Sequence, residues 1–215
     1  MAIRRLQADP SDDFSFASFQ YETLIQLPSP ITEQQVAQVL RDRLDLFPRS
    51  QVPGLARHLM RLCRSHHFDP ALVLSLINVE SSFRIKALSP VGARGLMQLM
   101  PATAKFMARR LKMPFASSNA LYDPFTNLTL GVNYLRYLKD RYRGRSSYFH
   151  IAAYNIGPGR LDYLVNRAGG FKPTETKVYF EKIRAGVPGL RFYPGLPVEK
   201  PTETASQEKL ASVGA

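Results

Sequence analysis

Hydrophobic positions along the chain recur every three or four residues, and no stretch alternates convincingly with a period of two. From residue 31 onward this pattern divides into helices with readable ends. Thr32, with Gln35 three residues later, forms a capping box for a helix carrying Val36, Val39, Leu40 and Leu44. Leu55, Leu59, Leu62 and Cys63 share one face of a second helix that runs to His67. Asp69-Pro70 sets a side-chain cap before the residue best tolerated at the first helical position, and so opens the apolar stretch Ala71 to Val79. Pro101 starts a helix through Ala104 and Met107. Asp123-Pro124 repeats the cap signal and leads a long helix with Leu128, Val132, Leu135, Leu138 and Tyr142 on one stripe. Shorter helices are predicted at about 147–155, 158–168 and 174–185. The fold class predicted is mostly α.

The same pattern suggests an organisation. Residues 1–30 mix Asp, Ser, Pro and Phe without a sustained period and read as a flexible N-terminal arm. Residues 31–50 read as a helical extension packed on the domain that follows, 51–194 as that domain, and 195–215 as a flexible C-terminal tail. Arg4-Arg5 could open an export signal, but the polar run Gln7 to Asp13 stands where its apolar core belongs, so no signal peptide is visible in this chain. No run of 18 apolar residues exists, and a transmembrane segment is not expected.

Composition narrows the chemistry. The single cysteine, Cys63, allows neither an internal disulfide nor a thiolate zinc cluster, and its place on an apolar stripe makes it a core residue. His58, His66 and His67 gather near one helix end without a third-ligand pattern, so no metal and no other cofactor is expected. Charge says more. The chain carries 29 Lys and Arg against 17 Asp and Glu, a net +12, and residues 51–194 hold 22 of those cations with only 7 acids. Such a field favours a polyanionic partner: nucleic acid, anionic lipid or an acidic cell-wall polymer. No reading helix or RNP-type motif supports specific nucleic-acid binding. The run Arg136, Lys139, Arg141, Arg143 and Arg145 reads as a solvated helix face.

Glu80 is the outlier, a carboxylate at the end of the most apolar helical stretch of the chain. Burial disfavours the charged form of a carboxylic acid and raises its pKa, which suits a general acid near neutral pH. On this feature alone the carboxylate can equally turn to solvent or pair with an arginine.

The residues after Glu80 change the weighting. Glu80-Ser81-Ser82-Phe83, then Ala87-Leu88-Ser89-Pro90-Val91-Gly92-Ala93-Arg94-Gly95-Leu96-Met97-Gln98-Leu99-Met100-Pro101, resemble the signature of the family 1, soluble-lytic-transglycosylase-like peptidoglycan lytic transglycosylases of the lysozyme superfamily. Leu121-Tyr122-Asp123-Pro124 with Asn127, Gly131 and Tyr134, then Ala152-Ala153-Tyr154-Asn155-Ile156-Gly157-Pro158-Gly159, then Glu175-Thr176 with Tyr179, continue the resemblance in the family's order over residues 55–185. It implies a lysozyme-like, goose-lysozyme-type helical domain acting on peptidoglycan glycan strands in the periplasm or cell envelope, with cell-wall or secretion-machinery proteins as further partners. It implies that Glu80 is the catalytic glutamate, and that Ser89, Gln98, Met100, Tyr134, Tyr154, Asn155 and Tyr179 line the glycan groove. Ser81, Gly95, Glu175 and Thr176 match structural positions of the motifs, and Gly92 matches a turn. Arg94 departs from the small or apolar residue common in relatives, and either adds a cation beside the groove or points outward.

The acids of the basic segment fit a one-carboxylate mechanism. Asp69 and Asp123 are spent as helix caps, Asp140 and Asp162 sit among Lys139, Arg141 and Arg160, and Glu175 orders helices. Ordinary glycosidases use two carboxyls. As the resemblance implies, Glu80 protonates the oxygen between N-acetylmuramic acid and N-acetylglucosamine, then takes the proton of the muramyl C6 hydroxyl as it closes on C1. A muramidase using water and a catalytically inert wall-binding module are the alternatives.

Overall fold

Each cap read from the sequence starts a helix in the computed structural model, which describes residues 31–166 and 176–187. Thr32 Oγ1 accepts from the Gln35 N–H while the Gln35 side chain accepts from the Thr32 N–H, closing the capping box of α1 (Glu33–Arg43). After a single 3₁₀ turn at Arg49–Gln51, α2 (Val52–His66) runs to His67, which caps it with a left-handed φ of 54°. Asp69 accepts from the Ala71 N–H to begin α3 (Pro70–Ser81), and Pro101 is the first residue of α4 (Pro101–Arg110). A 3₁₀ segment at Ser118–Tyr122 leads to Asp123, which accepts from the Thr126 N–H and opens α5 (Pro124–Arg141). Then come α6 (Ser147–Ile156), α7 (Pro158–Asn166) and α8 (Lys177–Ala185). Helix ends differ from the predicted ones by a few residues. The arm at 1–30, the tail at 195–215 and Glu175 lie outside the described residues.

α5 is the hub. It packs against α2, α4 and α6, while α1 lies on α2 and α3 meets α8. The predicted stripe of α5 is the buried one, with Leu128, Val132, Leu135 and Leu138 fully enclosed. Every residue of α3 from Ala71 to Ile77 is buried, and each enclosed Leu or Ile contributes on the order of 1.5–3 kcal/mol. Ser75 is tolerated there because its hydroxyl donates to the Ala71 carbonyl at 2.8 Å. Cys63 is a free, buried thiol in the same core. Among the described residues no helix is long and apolar enough to cross a membrane.

Candidate active site

α3 delivers Glu80 to the edge of the core. The helix buries its length from Ala71 to Ile77, and Ser81 is anchored by its hydroxyl donating to the Ile77 carbonyl at 3.1 Å. It is then stopped abruptly: Ser82 and Phe83 adopt left-handed φ values of 51° and 62° in succession. That conformation is costly for residues with side chains and persists only where packing over-determines it, and Phe83 supplies the packing by being fully buried. Glu80 is therefore fixed in the last turn of a rigid helix, partly exposed at the rim.

Two tyrosines define its surroundings. α8 faces the end of α3, and the Asn78 amide donates to the Gly186 carbonyl at 3.4 Å across that junction. One turn into α8, the Tyr179 hydroxyl donates to Glu80 Oε1 at 2.5 Å. The start of α8 is held by a buried hydrogen bond between the Tyr148 and Thr176 hydroxyls, and by Tyr148 stacking on Phe180 at 4.0 Å. Burial pushes the Glu80 carboxyl up to about 7, and the hydrogen bond from Tyr179 opposes that rise. Burial, and after it the Glu80 charge, push both Tyr154 and Tyr179 well above the usual phenol value, so both hydroxyls stay protonated. No cation or second carboxylate of the described residues contributes to the shift of Glu80.

The segment between α3 and α4 follows Glu80 in the chain. It folds back on itself through isolated bridges of Arg94 with Leu88 and Leu99. The Ser89 hydroxyl accepts from the Ala93 N–H at 2.9 Å, and the Gln98 amide donates to the carbonyls of Ala87 and Gly95. These two predicted groove residues thus brace the loop that carries them. Gly95, at φ 75°, has no room for a side chain: a Cβ would stand 2.1 Å from the Leu121 carbonyl and 2.3 Å from the Asn127 amide nitrogen. Asn127, fully buried on α5, explains that crowding. Its Oδ1 accepts from the Met97 N–H at 2.8 Å, and its Nδ2 donates to the carbonyls of Arg94 and Leu121 at 3.0 and 2.9 Å. The Met97 carbonyl in turn accepts from the Tyr154 hydroxyl at 2.8 Å.

The structure thus brings Glu80, Tyr154 and Tyr179 together, with Ser89 and Gln98 in the adjoining loop. Met100 caps α4 and is 40% exposed, and Asn155 is exposed at the end of α6. Tyr134 is 9% exposed, stacks on Tyr137 and lies 5.6 Å from the Tyr154 ring. Arg94 turns to Asn119, donating at 2.7 Å, with its guanidinium over the Tyr122 ring. Sequence reasoning gave Asn127 no role and missed the Met97 carbonyl; the only signal was their presence inside the motifs. His58 bonds Thr129 at 2.8 Å, and no group of three His, Cys, Asp or Glu side chains gathers among the described residues.

Residues 62–176, more than half of the chain, match the Transglycosylase SLT domain family. The chain belongs to this family. The SLT-domain chain is 35% identical over 146 residues to the soluble lytic murein transglycosylase of Escherichia coli K12, a match covering 63% of the chain and 22% of that protein. It is 30% identical over 181 residues to the membrane-bound lytic murein transglycosylase C of Mannheimia succiniciproducens, covering 75% of the chain and 50% of the relative. The fold is similar to the crystal structure of the 70-kDa soluble lytic transglycosylase of Escherichia coli, with a TM-score of 0.52 at 27% identity over 74% of this chain and 30% of that one. A complex of the 70-kDa enzyme with bulgecin A gives a TM-score of 0.53 at 26% identity, over 74% and 30% of the two chains. The SLT-domain chain thus spans between about a fifth and a half of the relatives it matches.

Proposed function

We propose that the chain is a peptidoglycan lytic transglycosylase that cleaves the bond between N-acetylmuramic acid and N-acetylglucosamine without consuming water. The observation that carries this reading is the carboxyl of Glu80, raised to about 7 by burial, flanked by tyrosines that stay neutral and shifted by no second carboxylate among the described residues. About half of such a group is protonated at neutral pH, which suits a residue that gives a proton and then recovers one. Glu80 protonates the bridging oxygen as the bond from that oxygen to muramyl C1 breaks. The resulting carboxylate keeps the hydrogen bond from Tyr179, takes the proton of the C6 hydroxyl, and O6 closes on C1. The products are a free N-acetylglucosamine end and a 1,6-anhydromuramyl end, and Glu80 is again protonated.

We assign Tyr154, Asn155 and Met100 to the groove that holds the sugar, with Ser89 and Gln98 bracing the loop that follows α3. The relatives carry murein in their names, and an enzyme on this polymer acts in the cell envelope. The test is product analysis. Purified sacculi digested with the chain should yield anhydromuropeptides by mass spectrometry, and Glu80→Gln should abolish release. Reducing-end muropeptides instead would make the chain a muramidase, and undiminished release by Glu80→Gln would remove Glu80 from the chemistry.

A further inference from the structure

The cations of this basic chain are not equally engaged. Along α5 and just past its end the arginine cations are neutralised where they stand, and Lys139 turns to the His67 carbonyl. Arg136 and Arg143 pair with Asp140 at 2.8 and 3.0 Å, and Arg141 pairs with Asp162 at 2.5 Å. On α4 they are not. Lys105 and Arg109, one turn apart, and Lys112 just past the helix end are exposed, and no carboxylate among the described residues pairs with any of them. Apolar surface is interleaved with this charge: Phe106 is 40% exposed and Leu111 36%. Arg110 is held in place over two rings, 5.6 Å from the centroid of Phe106 and 5.3 Å from that of Tyr137. The face begins one turn beyond Met100, the exposed residue that caps α4.

We infer that the outer face of α4 is a non-catalytic docking surface for the acidic wall polymer itself, an inference that rests on the proposed substrate. Unpaired cations match the carboxylates carried by the stem peptides, and an exposed ring with a fixed guanidinium beside it offers a flat face to a sugar. A contact made away from the scissile bond raises the effective concentration of polymer at Glu80 without altering chemistry. It acts on long strands and not on short ones, and screening by salt weakens it.

The experiment compares the parent with a Lys105→Gln/Arg109→Gln/Lys112→Gln variant. Retention on purified sacculi is measured in a Glu80→Gln background, which leaves the polymer intact, across a salt series. Turnover is measured in the active chain on sacculi and on a short, soluble muropeptide oligomer. The expected result is about tenfold weaker retention at low ionic strength with a flatter salt dependence, slower turnover of sacculi, and turnover of the short oligomer unchanged within about twofold. Equal retention of parent and variant overturns the proposal. So does an equal loss of turnover on the short oligomer, or a loss confined to retention on phosphatidylglycerol vesicles. A parent that retains sacculi but cleaves neither substrate refutes the proposed reaction and leaves the docking result standing.

Discussion

Tyr179→Phe isolates one hydrogen bond on the reacting group. The ring packs edge-on against Phe180 at 6.3 Å and loses only its hydroxyl, so α8 keeps its place. Removing a donor that favours the carboxylate leaves burial unopposed, and the Glu80 pKa must rise above its present value of about 7. A hydrogen bond to a charged group contributes about 1.5–3 kcal/mol, equivalent to about 1–2 pKa units. The acid form starts the reaction, so the alkaline limb of kcat/KM reports this value, and activity falls as pH rises through it. The variant should carry that limb roughly one to two pH units to the alkaline side, retaining about half or more of its activity near pH 8, where only about a tenth of the parent is protonated. The assay is the initial rate of sacculus solubilisation from about pH 5 to about pH 10. An unmoved limb, or one displaced to the acid side, would show that Glu80 does not set it or that Tyr179 does not act on Glu80.

Three further outcomes follow from burial and packing. The folded chain holds a proton on Glu80 up to about pH 7 that an ordinary carboxyl releases at 4.5, so this group costs stability as pH rises through that window. Glu80→Gln should therefore be more stable than the parent above pH 7 by up to about 3 kcal/mol and equal to it at pH 4, read from urea midpoints. His150, buried beside Phe68, is held down to about 4 by burial and by the charge of Lys139. It is neutral when folded, so its contribution is complete above about pH 6.5 and is lost as pH falls toward 4; His150→Phe should flatten that acid limb of the stability curve. Gly95→Ala forces a Cβ to 2.1 Å from a backbone carbonyl at a positive φ, and should lower stability by at least about 2 kcal/mol in thermal unfolding. A melting temperature within a degree or so of the parent would contradict the crowding described.

What was readable in the sequence was what is decided within four residues. Thr32, Asp69 and Asp123 cap helices two or three residues away, and the α5 stripe repeats at helical spacing, so propensity and packing agree and the elements emerge where expected. The site depends on contacts with no local period. Met97 and Asn127 are 30 residues apart, Tyr154 and Met97 are 57, and Tyr179 and Glu80 are 99. Family motifs name these residues but not which one touches which. Tyr134 shows the same limit: an aromatic at helical spacing acquires its surroundings only from what packs over it, and here Tyr137 and Tyr154 do.

The charge of the chain posed the sharper physical question, since cations near Glu80 would lower its pKa and empty the acid form before neutral pH. The structure answers by segregation. Asp140 and Asp162 tie down the arginines of α5, Arg94 turns to Asn119 and Tyr122, and the unpaired cations of α4 stand on its exposed face. Glu80 is left facing two phenols that burial keeps protonated, one of which donates to it. Phenols can stabilise the carboxylate by hydrogen bonding without fixing it as an ion. That difference lets a strongly basic domain hold a carboxyl at about 7, poised to give up and regain one proton within a single turnover.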